Sequence, residues 1–127
     1  AFKKLLSLQV SHALIHNFKD GKTPLTDSQI SERLVIPIRL MHRILYELVA
    51  TGLFVETRTN ADKQFGYQPA RDINGLSIRC ILEALEHNGV DNIPVANTEE
   101  LEVLSDSLKQ FSEAMESSPA NRLLKDI

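Results

Sequence analysis

Cysteine is nearly absent from this sequence, and long apolar runs are absent altogether. The single cysteine, Cys80, cannot form an internal disulfide, which suits a reducing compartment. No run of about 18 apolar residues is present, so the sequence predicts no membrane span. No signal peptide is visible either. The chain begins at Ala1 rather than at a methionine, from which we expect a fragment of a longer protein.

An excess of positive charge is also missing. The 127 residues include 14 Lys and Arg against 17 Asp and Glu, which gives a formal net charge of −3. A free-standing DNA-binding protein usually carries a basic surface, so this balance counts against a DNA-binding role. A hydrophobic content of 43% is ordinary for a globular domain of this length.

Patterns typical of enzymes and of metal or cofactor sites are lacking as well. We find no Ser-His-Asp order, no glycine-rich phosphate loop and no paired carboxylates with a shared pocket, and therefore predict no catalytic activity. His12 and His16 have the spacing of two metal ligands on a helix, but no third ligand follows, so we predict neither metal nor cofactor. Cys80 is interpreted as a small buried hydrophobe.

The stretch from Ser31 to Leu48 predicts a helix-turn-helix. The sequence T-D-S-Q at 26–29 matches a capping box that starts the first of its helices. Pro37 suits the first turn of the second helix, and Gly52 suits its C-terminal end. The apolar residues of this second helix recur at three- and four-residue steps and predict its buried side. They are Met41, Ile44, Leu45 and Leu48.

The flanking segments complete a winged helix. Residues 2–19 predict a helix with an apolar stripe that runs from Leu5 to Phe18. Residues 53–58 and 64–68 predict a hairpin around the turn T-N-A-D-K, and 76–88 predict a further helix. The order helix, short strand, helix, helix, hairpin, helix predicts a mainly α winged helix-turn-helix over residues 1–90. Its wing is expected to have two or three strands.

Residues 91–127 predict a connector and an appended amphipathic helix. The sequence N-T-E-E at 97–100 matches a second capping box, and the helix is expected to reach about Glu116. Its apolar residues step by three and four, the spacing of a coiled-coil seam. They are Leu101, Leu104, Leu108, Phe111 and Met115. This seam packs either on its own domain or on a second copy, and the second arrangement would give a weak homodimer.

The exposed side of the third helix is the candidate binding surface. Its polar residues lie at steps of three, one and three and so share one side: Arg39, His42, Arg43 and Tyr46. The predicted wing adds Arg58 and Lys63. A recognition helix contacts base edges with its early residues, and arginine can pair with guanine. Because acidic residues alternate with these cations, we first expect a face that contacts protein or solvent, with nucleic acid as the alternative.

Two segments resemble a known family. They are PLTDSQISERLVIPIRLMHRILYELVATGLFVE and YQPARDINGLSIRCILEALEHNG. They are similar to the cytoplasmic C-terminal winged-helix domain of the YihY/BrkB, or ribonuclease BN-like, membrane proteins. The resemblance implies a non-catalytic regulatory domain on the cytoplasmic side of the inner membrane, whose partner is another protein or its own membrane domain. The ribonuclease label of that family finds no support in these residues.

A second resemblance concerns the pattern L-T-x-x-x-I-S-x-x-L-x-I-P at 25–37, followed by a wing that ends in tyrosine. It is similar to the iron–sulfur winged-helix repressors of the IscR type. The sequence departs from them because three cysteines are missing after the fourth helix and paired glycines are missing from the wing. Thiolates hold such clusters. The alternative function is therefore a DNA-binding transcriptional regulator without an iron–sulfur cluster.

Overall fold

The computed structural model describes residues 2–59, 64–90 and 98–127. Within these ranges five α-helices and three short strands follow one another. They are α1 (Phe2–Lys19), β1 (Leu25–Thr26), α2 (Asp27–Leu34), α3 (Ile38–Ala50), β2 (Phe54–Arg58), β3 (Phe65–Pro69), α4 (Ile78–Val90) and α5 (Glu99–Glu116). Two short 3-10 helices lie at Ile73–Gly75 and Leu124–Asp126. The predicted winged helix-turn-helix is confirmed.

Hydrogen bonds close helix α2 at both of its ends. The predicted capping box forms: Thr26 Oγ1 accepts from the Gln29 amide at 3.2 Å, and the Gln29 side chain accepts from the Thr26 amide at 2.9 Å. Val35 then ends α2 in the left-handed region, with a φ of 54°. Ser31 Oγ donates to the Ile36 carbonyl at 2.5 Å. Pro37 follows at the N-cap position of α3, so the chain turns sharply between the two helices.

The wing is a three-stranded antiparallel sheet with the strand order β1-β3-β2. The short strand predicted before α2 is an edge strand of this sheet, because Leu25 pairs with Tyr67 on β3. On the other side of β3, Glu56 pairs with the same tyrosine. The predicted hairpin tip, including Lys63, falls largely outside the described residues.

The core lies between α1, α3, α4 and the base of the wing. All four residues predicted for the inner side of α3 are buried. The predicted stripe of α1 is wrong at its ends, because Leu5 is 61% and Phe18 45% exposed. Leu6, Val10 and Leu14 of the predicted stripe are buried, and Ile15 joins them. The centre of α1 therefore packs on the core, while its two ends project beyond it.

The end of the chain returns to the same core. Leu124 is buried, and its amide donates to the Leu76 carbonyl at 3.1 Å. Ser77 and Leu123 form an antiparallel bridge. The Ile78 amide, at the start of α4, donates to the Arg122 carbonyl at 3.0 Å. The last residues are thus held against both α1 and α4.

Helix α5 has a different environment. Thr98 Oγ1 caps it by accepting from the Leu101 amide at 3.1 Å, so the helix begins one residue later than the predicted capping box requires. Asn97 lies outside the described residues. Every residue of α5 except Ser112 is exposed. The predicted seam therefore has no cover from the described part of its own chain.

The contact between β1 and β3 gives a first prediction. A Cβ at Gly66 would lie 2.7 Å from Pro24 Cβ and 2.8 Å from the Pro24 carbonyl oxygen. We expect Gly66→Ala to lower the free energy of unfolding by about 1–3 kcal/mol, since backbone and proline must move apart. Gly75→Ala is the control, because a Cβ there meets nothing within 4 Å, and its effect should stay within about 0.5 kcal/mol. Equal urea midpoints for the two variants would contradict this account of the wing.

Candidate nucleic-acid interface

The outer side of α3 carries the four residues that the sequence singled out. Because Met41, Ile44, Leu45 and Leu48 fix the inner side of the helix in the core, the opposite side must face solvent. The structure places Arg39, His42, Arg43 and Tyr46 there, and all four are exposed. Tyr46 is exposed to 77%. These side chains are therefore brought together on one accessible surface.

The two arginines of α3 are unengaged. Among the residues that the structure describes, no carboxylate forms an ion pair with Arg39 or Arg43. A guanidinium carries five N–H donors and matches phosphate and the guanine edge in a bidentate way. Within the described part of the chain, both guanidinium groups therefore have donors without an ion-pair partner on the exposed side of α3.

His42 has a structural task at the same surface. Its Nε2 lies 2.6 Å from Asp27 Oδ2, which ties α3 to the first turn of α2. The other carboxylate oxygen of Asp27 accepts from the Ser28 amide at 2.7 Å. The sequence did not indicate this pairing, because the two residues lie 15 positions apart. Asp27 is thus engaged by the helix-turn-helix itself and does not pair with an arginine.

The wing also combines an exposed arginine with a carboxylate that another side chain engages. Arg58 is exposed at the end of β2, opposite Phe65. Tyr67 donates its hydroxyl proton to Glu56 Oε1 at 3.2 Å. Burial, and then the nearby charge of Glu56, raises the pKa of Tyr67 to about 12, so this donor stays protonated at neutral pH. Lys63, the second predicted cation of the wing, lies outside the described residues.

Two apolar residues at this surface escaped the sequence analysis. Val35, in the turn, is 87% exposed, and Ile38, at the start of α3, is 39% exposed. Apolar groups at the start of a recognition helix can contact the methyl group of thymine. The position of Val35 in the turn could have revealed it, whereas Ile38 lies three residues before Met41 and so continues the spacing of the buried side of α3.

Much of the negative charge of the chain is concentrated on one helix, α5. Helix α5 carries six acidic residues and one lysine, which amounts to −5. The total is −3, so all remaining residues together carry +2. The net charge of the whole chain therefore does not describe the electrostatic character of the helix-turn-helix.

The two histidines of α1 lie beside the returning end of the chain. Their ring centroids are 4.2 Å apart. His16 Nε2 lies 3.0 Å from the Leu124 carbonyl, which requires a proton on that nitrogen. Burial, and then the proximity of His16, lowers the pKa of His12. Within the described ranges no three His, Cys, Asp or Glu residues are grouped so that they could hold a metal ion.

Cys80 is half-buried on α4 and packs against the core. Burial raises the pKa of its thiol, and the carboxylates of Glu116 and Glu83 add to this effect. A thiol with a raised pKa remains protonated and is a poor nucleophile. Cys80 therefore packs as a small apolar side chain, as expected from the sequence, but its side chain is only half-buried.

Comparisons with known proteins identify the architecture. No protein-family model matches the chain, and no curated protein sequence matches it significantly. IscR of T. potens is 20% identical and matches with a TM-score of 0.62 over 92% of this chain and 79% of its own. CymR (YrzC), the global cysteine regulator of B. subtilis, is 15% identical and matches with a TM-score of 0.65 over 98% and 92%. The fold is that of winged-helix proteins.

The predicted resemblance to the YihY/BrkB membrane proteins is wrong. Both matched structures are transcription regulators rather than enzymes, and nothing in the comparisons points to a membrane-protein fragment. Across the described ranges, no helix combines the length and the apolar character needed to cross a membrane. The residues behind the resemblance, such as Pro37 and Gly52, are those that a helix-turn-helix needs to start and end its second helix. These residues therefore indicate a helix-turn-helix fold but do not distinguish one family with that fold from another.

The predicted role as a regulatory domain of an inner-membrane protein is overturned with that resemblance. The second resemblance, to repressors of the IscR type, agrees with the matched structures. The cysteines expected of an iron–sulfur site are still missing from the sequence, since Cys80 is its single cysteine.

The lowered pKa of His12 predicts a pH dependence of stability. A histidine whose pKa is depressed by folding stabilises the native state above its unfolded pKa of about 6.5, and this contribution is lost as the pH falls. We expect the free energy of unfolding to decrease between about pH 7.5 and about pH 5, and His12→Gln to make this decrease smaller. His87→Gln, on the exposed end of α4, is the control. Urea titrations that give His12→Gln the same pH dependence as the unmodified chain would refute the assignment.

Proposed function

We propose that this protein is a DNA-binding transcriptional regulator that places α3 in the major groove. The observation that carries the proposal is the pair of outward arginines on α3, Arg39 and Arg43, which no described carboxylate neutralises. The similarity of the fold to IscR and CymR supports it. The concentration of acidic residues on α5 removes the objection raised by the net charge.

The residues of the surface fit distinct tasks in DNA recognition. Arg39 lies in the first turn of α3, where a recognition helix reaches base edges, and we assign it to guanine. Arg43 lies one turn later and is suited to a base or a phosphate. Val35 and Ile38 offer apolar contacts beside them. His42 acts as a positioning residue, because its contact with Asp27 fixes α3 on α2.

The wing supplies a second point of contact. Arg58 is exposed on the strand that leads to the hairpin tip, and we propose that it contacts a phosphate next to the groove occupied by α3. Lys63 would extend this contact from the tip itself. Phosphate contacts fix the register of a protein on the duplex, so the wing would orient α3 without reading sequence.

We further propose that the regulator acts as a homodimer through α5. Two or three cations give one subunit few phosphate contacts and hence modest affinity. Helix-turn-helix proteins overcome this limit by binding two half-sites as symmetric dimers. The seam residues of α5 range from 36% exposed at Leu101 to 68% exposed at Leu108. Their heptad spacing suits pairing with an identical helix.

A second apolar surface of the same chain supports a second copy as the partner. Phe2 and Leu5 are exposed at the start of α1. They adjoin an apolar groove of about 480 Å³ that Leu5 shares with Leu8, Ile78 and Leu124. In a two-fold dimer both subunits contribute the same apolar patch to the interface. Apolar area is therefore buried on each of the two subunits.

The DNA-binding proposal predicts specific losses on α3. We expect Arg39→Ala to weaken binding to a duplex selected from a random library by about 1–3 kcal/mol and to relax base preference at one position. Arg43→Ala should cost a similar amount, and it should also reduce the salt dependence if the contact is to phosphate. Fluorescence anisotropy at several salt concentrations measures both effects.

Arg122→Ala is the control for these measurements. Arg122 is exposed on the returning tail, where it donates to the Asp126 carbonyl, and its replacement should leave DNA affinity unchanged. The proposal fails if the unmodified protein shows no salt-dependent binding to any duplex, or if both α3 variants bind as tightly as the unmodified protein.

The dimer proposal predicts a change in mass. We expect Phe111→Glu to abolish self-association, since it places two like charges within an apolar seam. Because α5 is exposed in the single chain, the variant should keep its circular dichroism spectrum and its unfolding midpoint. Gln110→Glu, one residue away and off the seam, is the control and should still associate. An unmodified chain that remains monomeric by light scattering at millimolar concentration would exclude this dimer.

A further inference from the structure

A small groove lies where α4 meets the turn after α5. Its volume is about 170 Å³. Ile78, Leu82 and Met115 form its apolar walls, and Arg79 and Asn121 contribute polar groups. A cavity of about 150 Å³ is large enough for a benzene molecule, so the groove suits a ligand of about six non-hydrogen atoms.

Arg79 is the unusual component of this groove. Its side chain is only 13% exposed, and the single carboxylate paired with it, that of Glu83, lies at 3.8 Å, beyond hydrogen-bonding distance. One terminal nitrogen donates to Ser112 Oγ on α5. The Nε–H is buried and has no acceptor within the described part of the chain. The buried Nε–H is out of reach of a ligand in the groove. The terminal nitrogens have one carboxylate at 3.8 Å and one hydroxyl acceptor, so an anionic ligand beside them would recover part of the free energy that burial of the charge costs.

We propose that this groove binds a small organic carboxylate. The carboxylate contacts the exposed edge of the Arg79 guanidinium, where charge-assisted hydrogen bonds are strong and directional. The hydrocarbon part of the ligand packs on Ile78, Leu82 and Met115. The apolar walls favour an acid with a short aliphatic chain over an inorganic anion, because they offer no further donors to an anion's remaining oxygens.

The site connects the winged-helix core with α5. Ser112, which accepts from Arg79, is the one residue of α5 that is not exposed. Asn121 accepts from the Arg79 amide at 2.9 Å and donates to the Glu116 carbonyl at 3.2 Å. A ligand between these groups would fix the end of α5 relative to α4. If the proposed dimer is correct, the ligand would thereby control how the seam is presented to the second copy.

Butyrate is the probe for this site, and butyramide is its uncharged isostere. Side-chain NMR of ¹⁵N-labelled arginine should show a saturable shift of the Arg79 Nε resonance with butyrate. We expect butyramide to bind at least about tenfold more weakly, and Arg79→Gln to weaken butyrate binding by a similar factor, as followed by calorimetry.

Two further variants make the test specific. Ala120→Leu narrows the groove without touching the arginine and should also weaken butyrate binding about tenfold, by filling the space the ligand needs. It therefore tests the groove even if Arg79→Gln does not fold. Arg71→Gln removes a nearby exposed guanidinium outside the groove and should leave butyrate affinity unchanged.

The outcomes separate this proposal from the proposed function. Butyrate titrations are done without DNA, so a protein that binds no duplex can still bind butyrate at Arg79. The site is disproved if butyrate does not saturate the folded protein, if butyramide binds equally well, or if Ala120→Leu has no effect. The coupling to α5 is supported if butyrate shifts the dimer dissociation constant and Arg79→Gln loses this shift. If butyrate binds without shifting the constant, the coupling is rejected and the binding site stands.

Discussion

The left-handed turn at Val35 determines the direction of α3, and the candidate interface depends on that direction. A β-branched residue rarely adopts this conformation, which costs about 1–2 kcal/mol. Here the Ile36 amide donates to the Ser31 carbonyl, and the Ser31 hydroxyl donates back to the Ile36 carbonyl. These bonds offset the cost and hold α3 across α2. The core stripe of α3 then leaves Arg39 and Arg43 no direction except outward.

Segregation of charge is the second organising feature. One exposed helix holds six of the acidic residues. Asp27 is engaged by His42, Glu56 by Tyr67, and Glu47 on α3 itself pairs with Lys3. A basic face can therefore exist on a chain with a negative total. The acidic α5 would also be repelled from the phosphate backbone, so charge alone favours contact through α3 and the wing.

Local sequence signals predicted the local parts of this fold. The capping box at Thr26, the buried stripe from Met41 to Leu48 and the end of α3 near Gly52 each depend on residues close in sequence, and each is present in the structure. The wing was expected to have two or three strands, and the choice between them was open because the pairing of Leu25 with Tyr67 is formed across more than 40 residues. The docking of Leu124 and the contact of Asp27 with His42 escaped prediction for the same reason.

The structure brings the four predicted residues of α3 together on one exposed side, while what that side binds stays a prediction. Spacing alone predicted that Arg39, His42, Arg43 and Tyr46 share one side of α3. The sequence could not show which carboxylates pair with which groups, so each acidic residue was counted against every cation. The family resemblance failed for a related reason, because residues that start and stop helices recur in unrelated helix-turn-helix proteins.

The buried Leu124 gives the molecule a mechanical property. It anchors the segment after α5 to α1 through His16 and to the start of α4 through Leu76. Helix α1 in turn shares its buried side with α3. A torque applied to α5 by a bound subunit would thus be passed to α3 through these packed and hydrogen-bonded contacts. In such a dimer, the distance between the two α3 helices would depend on the angle at which the two α5 helices cross.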